Sequence, residues 1–146
     1  MFVIRRSSND GEGSITGVVR TTPPDYRDLA EVELAEVMHA LADPVRLGLI
    51  RLLSNGDEVA WGQLDVPVAP STLSYHLKVL RSAGLTRTRK EGTRCFVHLR
   101  TTEVDQIFPG LLDTTLTLMA HTPGGIVPVK LKSENRTGEP ACRLAG

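Results

Sequence analysis

Between Pro70 and Gly84 the chain reads PSTLSYHLKVLRSAG. At the roughly 100° per residue of an α-helix, Leu73, Leu77, Leu80 and Gly84 fall on one narrow stripe. Ser71, Tyr75, Lys78 and Ser82 fall opposite, with Ser74 and Arg81 on one flank and Thr72 and His76 on the other. The spacing predicts an amphipathic helix with Pro70 in its first turn, where a missing N–H is tolerated, and Gly84 as the left-handed stop. Upstream, Leu29, Val32, Val37 and Leu41, with Leu34 and Met38 beside them, predict a helix over Asp25–Ala42 that has more apolar face than one partner helix needs. Asp43-Pro44 caps and opens a second helix to about Ser54, with Val45, Leu49, Leu52 and Leu53 inward. Gly48 inside it predicts close helix–helix packing, and Asn55-Gly56 ends it in a left-handed turn. Trp61–Leu64 reads as one short helix, followed by a turn through Asp65 and Pro67.

Downstream, Cys95, Val97 and Leu99 alternate with Arg94, Phe96 and His98, the period of a half-buried strand. Leu85–Arg89 and Arg94–Leu99 therefore predict a hairpin around Lys90-Glu91-Gly92-Thr93. Thr101 or Thr102 should cap a last helical segment, broken or kinked at Pro109-Gly110 and continued through LLDTTLTLMA (Leu111–Ala120). That segment is almost free of charge and wants a partner. The expected fold is mainly α with a small β-hairpin, in the order α-α-α-α-β-β-α: a winged helix-turn-helix. Residues 1–24 and 121–146, rich in Gly, Pro and polar residues, are expected as flexible tails around one domain at 25–120.

Charge sharpens the picture. The 146 residues have a formal net charge of zero, which argues against indiscriminate polyanion binding. Yet Lys78, Arg81, Arg87, Arg89, Lys90, Arg94 and Arg100 face only Glu91 in their block, whereas Asp25–Asp43 is strongly acidic. A neutral chain with one cationic block fits a protein that presents a single face to nucleic acid. None of the outward residues of Pro70–Gly84 is acidic, and hydroxyls, a phenol, an imidazole and two cations can all donate to phosphates or base edges. The candidate DNA contacts are Ser71, Thr72, Ser74, Tyr75 and His76 in the major groove, Lys78 and Arg81 on phosphates, and Arg89, Lys90 and Arg94 at the hairpin tip. Ser74 and Tyr75 are the expected base readers.

Two cysteines, Cys95 and Cys142, are too few and too distant for a disulfide framework, and no apolar run follows Arg5-Arg6, so a reduced, cytoplasmic protein without membrane attachment is expected. Catalysis is not expected. Ser74 and His76 diverge by roughly half a turn on a helix and make no nucleophile–base pair, and no glycine-rich phosphate loop precedes a helix.

Three runs, ALADPVRLGLIRLL (Ala40–Leu53), STLSYHLKVLRSAGL (Ser71–Leu85) and EGTRCFVHLR (Glu91–Arg100), resemble the ArsR/SmtB family of bacterial winged-helix transcriptional regulators. The resemblance spans about Val32–Leu118. It implies a homodimer, paired through the first and last helices, that binds a palindromic operator on double-stranded DNA, most simply as a repressor. The dimer candidates are Leu29, Val32, Leu111, Leu112, Leu116 and Met119. The family's thiolate metal motif falls on Ala60 and Gly62 here, so no thiolate site forms there. No cofactor is expected. A divalent metal shared between subunits by His39, Glu103, Asp105 and His121 is the alternative, since imidazole and carboxylate suit a nickel- or zinc-type ion. The competing function is a winged-helix protein–protein interaction module or co-regulator that does not bind DNA itself.

Overall fold

The computed structural model describes residues 27–122 and 124–133; the expected N-terminal tail, Asp25 and the end of the C-terminal tail with Cys142 lie outside them. The helices are α1 (Leu34–Leu41), α2 (Pro44–Leu53), α3 (Pro70–Ser82), α4 (Thr101–Ile107) and α5 (Leu111–His121). The strands are β1 (Val59–Ala60), β2 (Leu64–Asp65), β3 (Thr86–Glu91), β4 (Arg94–Leu99) and β5 (Lys130–Leu131).

The first helix starts later than its apolar pattern predicts. Leu29–Glu31 is a single 3₁₀ turn capped by Asp28, after which Val32 and Glu33 are extended. Glu33 and Glu36 then form a reciprocal capping box that nucleates α1. The consequence reaches the expected dimer face. Leu29 and Val32 turn into the subunit's own core, at 4% and 6% exposure, rather than standing on its surface. Leu112 and Met119 are likewise buried within the subunit. Their apolar surface is already satisfied by the chain that carries them.

α2 begins as its sequence dictates. The Asp43 carboxylate accepts from Val45 N at 2.8 Å and Arg46 N at 3.1 Å, and Pro44 occupies the first turn. Trp61–Gln63 is a 3₁₀ turn flanked by β1 and β2, shorter than the expected helix. β1 pairs with β4 (Val59↔Val97, Ala60↔Phe96), so the hairpin is part of a three-stranded antiparallel sheet, β1-β4-β3. At the hairpin tip Glu91 pairs with Arg94 around Gly92 and Thr93, with Gly92 at φ 64°, the glycine-first geometry of a tight two-residue turn. Cys95, Val97 and Leu99 face the core as the alternation predicts. Cys95 is disulfide-bonded, which corrects the expectation of a reduced thiol.

α3 closes in a Schellman motif. Gly84 N donates to Arg81 O, Leu85 N donates to Leu80 O, and Gly84 has φ 77°. Beyond it, Arg100 rather than a threonine stands at the N-cap of α4, and its side chain makes no capping bond. Asp105 accepts from Gly110 N at 3.0 Å and fixes the corner before α5. The core gathers Val37, Leu49, Ile50 and Leu53 of the first two helices, Leu77 and Leu80 of α3, Leu85, Val97 and Leu99 of the sheet region, and Val104 of α4.

The segment after α5 departs from expectation. Residues 124–133 belong to the expected flexible tail, but they form a strap across the domain. Val127 N donates to Pro44 O, β5 pairs with β2 (Leu64↔Leu131, Asp65↔Lys130), and Lys132 N donates to Gln63 O. Val129 is buried. Gly48 exists for this strap rather than for a neighbouring helix: a methyl there would overlap the Val127 carbonyl and crowd Val129 Cγ2. Helix propensity alone makes Gly48→Ala stabilising by about 1 kcal/mol. The strap reverses the sign: the variant is expected to melt lower and to lose amide protection at Val127 and Lys132. A raised melting temperature would show that the strap does not hold that position.

Candidate nucleic-acid interface

α3 presents the two sides its sequence predicts. Leu77 and Leu80 are buried and Leu73 half-buried, while Ser71, Thr72, Tyr75, Lys78 and Ser82 are exposed. Ser74 and Arg81 are half-buried on the flank. The first turn carries no acidic residue, and the N-cap Ala69 offers no side-chain acceptor. The N–H groups at this end are therefore not capped by a side chain, and the positive end of the helix dipole adds to their attraction for phosphate. Tyr75 stands out: a large phenol, 57% exposed, in a row of hydroxyls.

His76 does not belong to the exposed set. It is 7% exposed, and its Nδ1 lies 3.1 Å from Nη1 of Arg46, itself 6% exposed. The expectation that His76 enters the groove is corrected: the imidazole points into the subunit, against α2. Arg46 also donates to Ala40 O at 2.6 Å and His39 O at 3.3 Å. Asp43 completes the cluster, its carboxylate 3.8 Å from His76 Nδ1 and 3.9 Å from Arg46 Nη1. Partial burial opposes the charged form of Asp43, but the backbone N–H groups of Arg46 and Val45 and the cationic neighbours outweigh it and hold the acid below its ordinary value. The sequence did carry a signal for this cluster. Arg46 sits beside Val45 and Leu49 on the inward side of an apolar helix, where a cation needs fixed acceptors.

The cationic block is smaller on the surface than in the sequence. Arg100 is 3% exposed and bonds Glu103 at 2.6 Å, Arg27 O and Gly84 O, which ties α4 to the end of α3. Arg87 pairs with Glu103. Arg89 lies across the Phe96 ring, 4.5 Å from its centre, in a fork with Glu58 and an ion pair with Glu91. That fork lowers the Glu58 pKa and raises that of Arg89. Arg89 is thus a brace between the wing and the residue before β1. Arg94 flanks the other side of the same ring at 5.0 Å, and Lys90 is exposed beside the tip. Arg27 reaches the far end of α3, donating to Ser82 O at 2.7 Å and to Glu36 at 2.9 Å. Glu36 is lowered mainly by that arginine.

The residues expected to share a metal have other work in the subunit. Glu103 serves Arg100 and Arg87, Asp105 serves the Gly110 corner, and His121 Nδ1 meets Thr117 O. His39 is exposed near the end of α1. Among the described residues no group of three or more His, Cys, Asp or Glu is placed to hold an ion within one chain. No described helix is long and apolar enough to cross a membrane.

Residues 41–89, from the end of α1 to the wing, match a family described as a helix-turn-helix domain. The chain is 40% identical over 83 residues to the uncharacterized HTH-type transcriptional regulator YceK of Bacillus subtilis (strain 168), covering 55% of this chain and 83% of that one. It is 36% identical over 76 residues to the arsenical resistance operon repressor of Staphylococcus xylosus, covering 51% and 73%. The chain belongs to the ArsR family of winged helix-turn-helix regulators. A third relative, the biofilm growth-associated repressor of Xylella fastidiosa (strain Temecula1 / ATCC 700964), is 33% identical over 81 residues, covering 54% and 70%. In this ArsR-family chain, α3 is the second helix of the helix-turn-helix and the β3–β4 hairpin is the wing.

Arg89 is held by two glutamates, whereas Lys90 is an exposed cation beside the wing tip. Lys90→Ala is expected to weaken all duplexes alike and to reduce the slope of log affinity against log salt by about 1. Unchanged affinity and slope in fluorescence anisotropy would remove the wing from the interface.

Proposed function

We propose that the protein acts as a homodimeric repressor that binds a palindromic operator, laying one α3 into each of two successive major-groove turns with the wings on the flanking backbone. The observation that carries this reading is the row Ser71, Tyr75, Lys78 and Ser82, fully outward and free of acid, opposite a buried leucine stripe. Pairing is supported by apolar side chains left on the surface of the first and last helices. Leu34 and Met38 stand one turn apart on α1 at 52% and 53% exposure, and Leu118 on α5 is 58% exposed. Leu111, half-buried, lies two turns before Leu118 on the same side of α5, whereas Leu116 lies on the side that carries Leu112 and Met119. Leu34, Met38, Leu111 and Leu118 replace Leu29, Val32, Leu112 and Met119 as the candidate contact residues.

Selection from a random duplex pool tests the reading. Two inverted half-sites about 10 base pairs apart, centre to centre, are expected, with a dimer mass in solution. A stably monomeric protein, or a pool that shows no enrichment at low salt, would overturn it.

A further inference from the structure

Arg46 has the properties of an anchor rather than of a contact. It is one of the few charged side chains buried in the described structure, and its guanidinium reaches three parts of the fold at once. Nε and Nη2 donate to Ala40 O and His39 O, carbonyls in the last turn of α1, the second of which also accepts from Ala42 N. Nη1 donates to Nδ1 of His76, in the middle of α3. Arg46 itself rides on the first turn of α2, where Asp43 accepts its backbone N–H. A guanidinium cannot give up its proton and holds its donors in a rigid fork. His76 Nδ1 must therefore be the acceptor, and the ring carries its proton on Nε2.

That bond matters because of the next residue. Tyr75 precedes His76 and lies about 100° around the helix from it, and the two rings meet edge-on, 5.6 Å between centres. Fixing the imidazole fixes the rotation of α3 about its own axis and hence the direction of the phenol. We propose that Arg46 is a positioning residue for DNA reading: through His76 it sets where Tyr75 points. The inference rests on the DNA-binding reading above and deepens it, since Arg46 and His76 are both buried and act through a residue that is exposed.

The groups facing the imidazole are Arg46 from α2, Asp43 from the corner between α1 and α2, and Tyr75 on α3 itself.

The test is the ratio of affinities for a selected operator and a scrambled duplex, which cancels the general attraction of a basic surface for phosphate. His76→Leu removes the acceptor and should lower the ratio by about tenfold or more, the worth of a good base contact. His76→Gln supplies an oxygen acceptor and should hold the ratio within about threefold of the parent, again on the scale where tenfold is one lost contact. A His76→Gln protein that discriminates no better than His76→Leu overturns the proposal. If His76→Leu does not fold, Arg46→Lys carries the same comparison, because one ammonium cannot serve all three acceptors; an unchanged ratio there overturns the proposal too. A parent that fails to prefer any duplex sinks the DNA-binding reading instead, so the two failures are distinguishable.

Discussion

Leu80→Ala is expected to remove about 2–5 kcal/mol of folding stability. Leu80 is fully buried on the inner side of α3, among Leu77 and Leu85. Truncation deletes three buried carbon atoms and leaves a void that this rigid neighbourhood fills only in part. The backbone role of the residue survives, because its carbonyl still accepts Leu85 N in the Schellman turn. The loss is therefore one of packing. Single domains are stable by about 5–15 kcal/mol, so the variant should unfold at much lower urea with a similar slope. A loss below about 1 kcal/mol would mean that the inward side of α3 is not packed as described.

Tyr75→Ala should do the reverse, sparing the fold and damaging recognition. The side chain is more than half exposed, and its ring meets the ring of His76 edge-on. Surface replacements of this kind usually shift stability by less than about 0.5 kcal/mol. If the phenol reads a base, the variant loses about 1–3 kcal/mol of discrimination, which is about 5- to 150-fold in the operator-to-scrambled ratio. Tyr75→Phe separates the hydroxyl from the ring: a loss as large as that of alanine assigns recognition to the O–H, and a small loss assigns it to the apolar face. Equal weakening on operator and scrambled duplex would make Tyr75 a backbone contact and end its role as a reader.

Period and punctuation carried most of the architecture. The leucine stripe of α3, the Asp43-Pro44 start of α2, the Pro109-Gly110 corner and the alternation through Cys95, Val97 and Leu99 are local patterns, and each element formed where its pattern lies. What failed was not local. The extended break at Val32-Glu33 depends on a capping box made by two glutamates, where a serine or threonine is the usual signature. β1 and β2 are two residues each, too short for alternation to register. The site shows the same division. Exposure of Ser71, Thr72, Tyr75 and Lys78 follows from helical phase alone. The burial of His76 does not, because it is set by Arg46, thirty positions earlier in the chain. Counting cations in a block likewise could not reveal that Arg87, Arg89 and Arg100 are spent on Glu103, Glu58 and Glu91.

The strap redraws the smallest fragment worth expressing. A truncation placed after His121, where the last helix stops, would strip β2 of its only pairing partner among the described residues and lay bare the hollow that Gly48 provides. Such a shortened polypeptide would expose an apolar furrow along α2 and an unpaired edge just ahead of the reading helix, both of which invite self-association. Deletion series and tag placement should therefore leave everything through Lys132 intact.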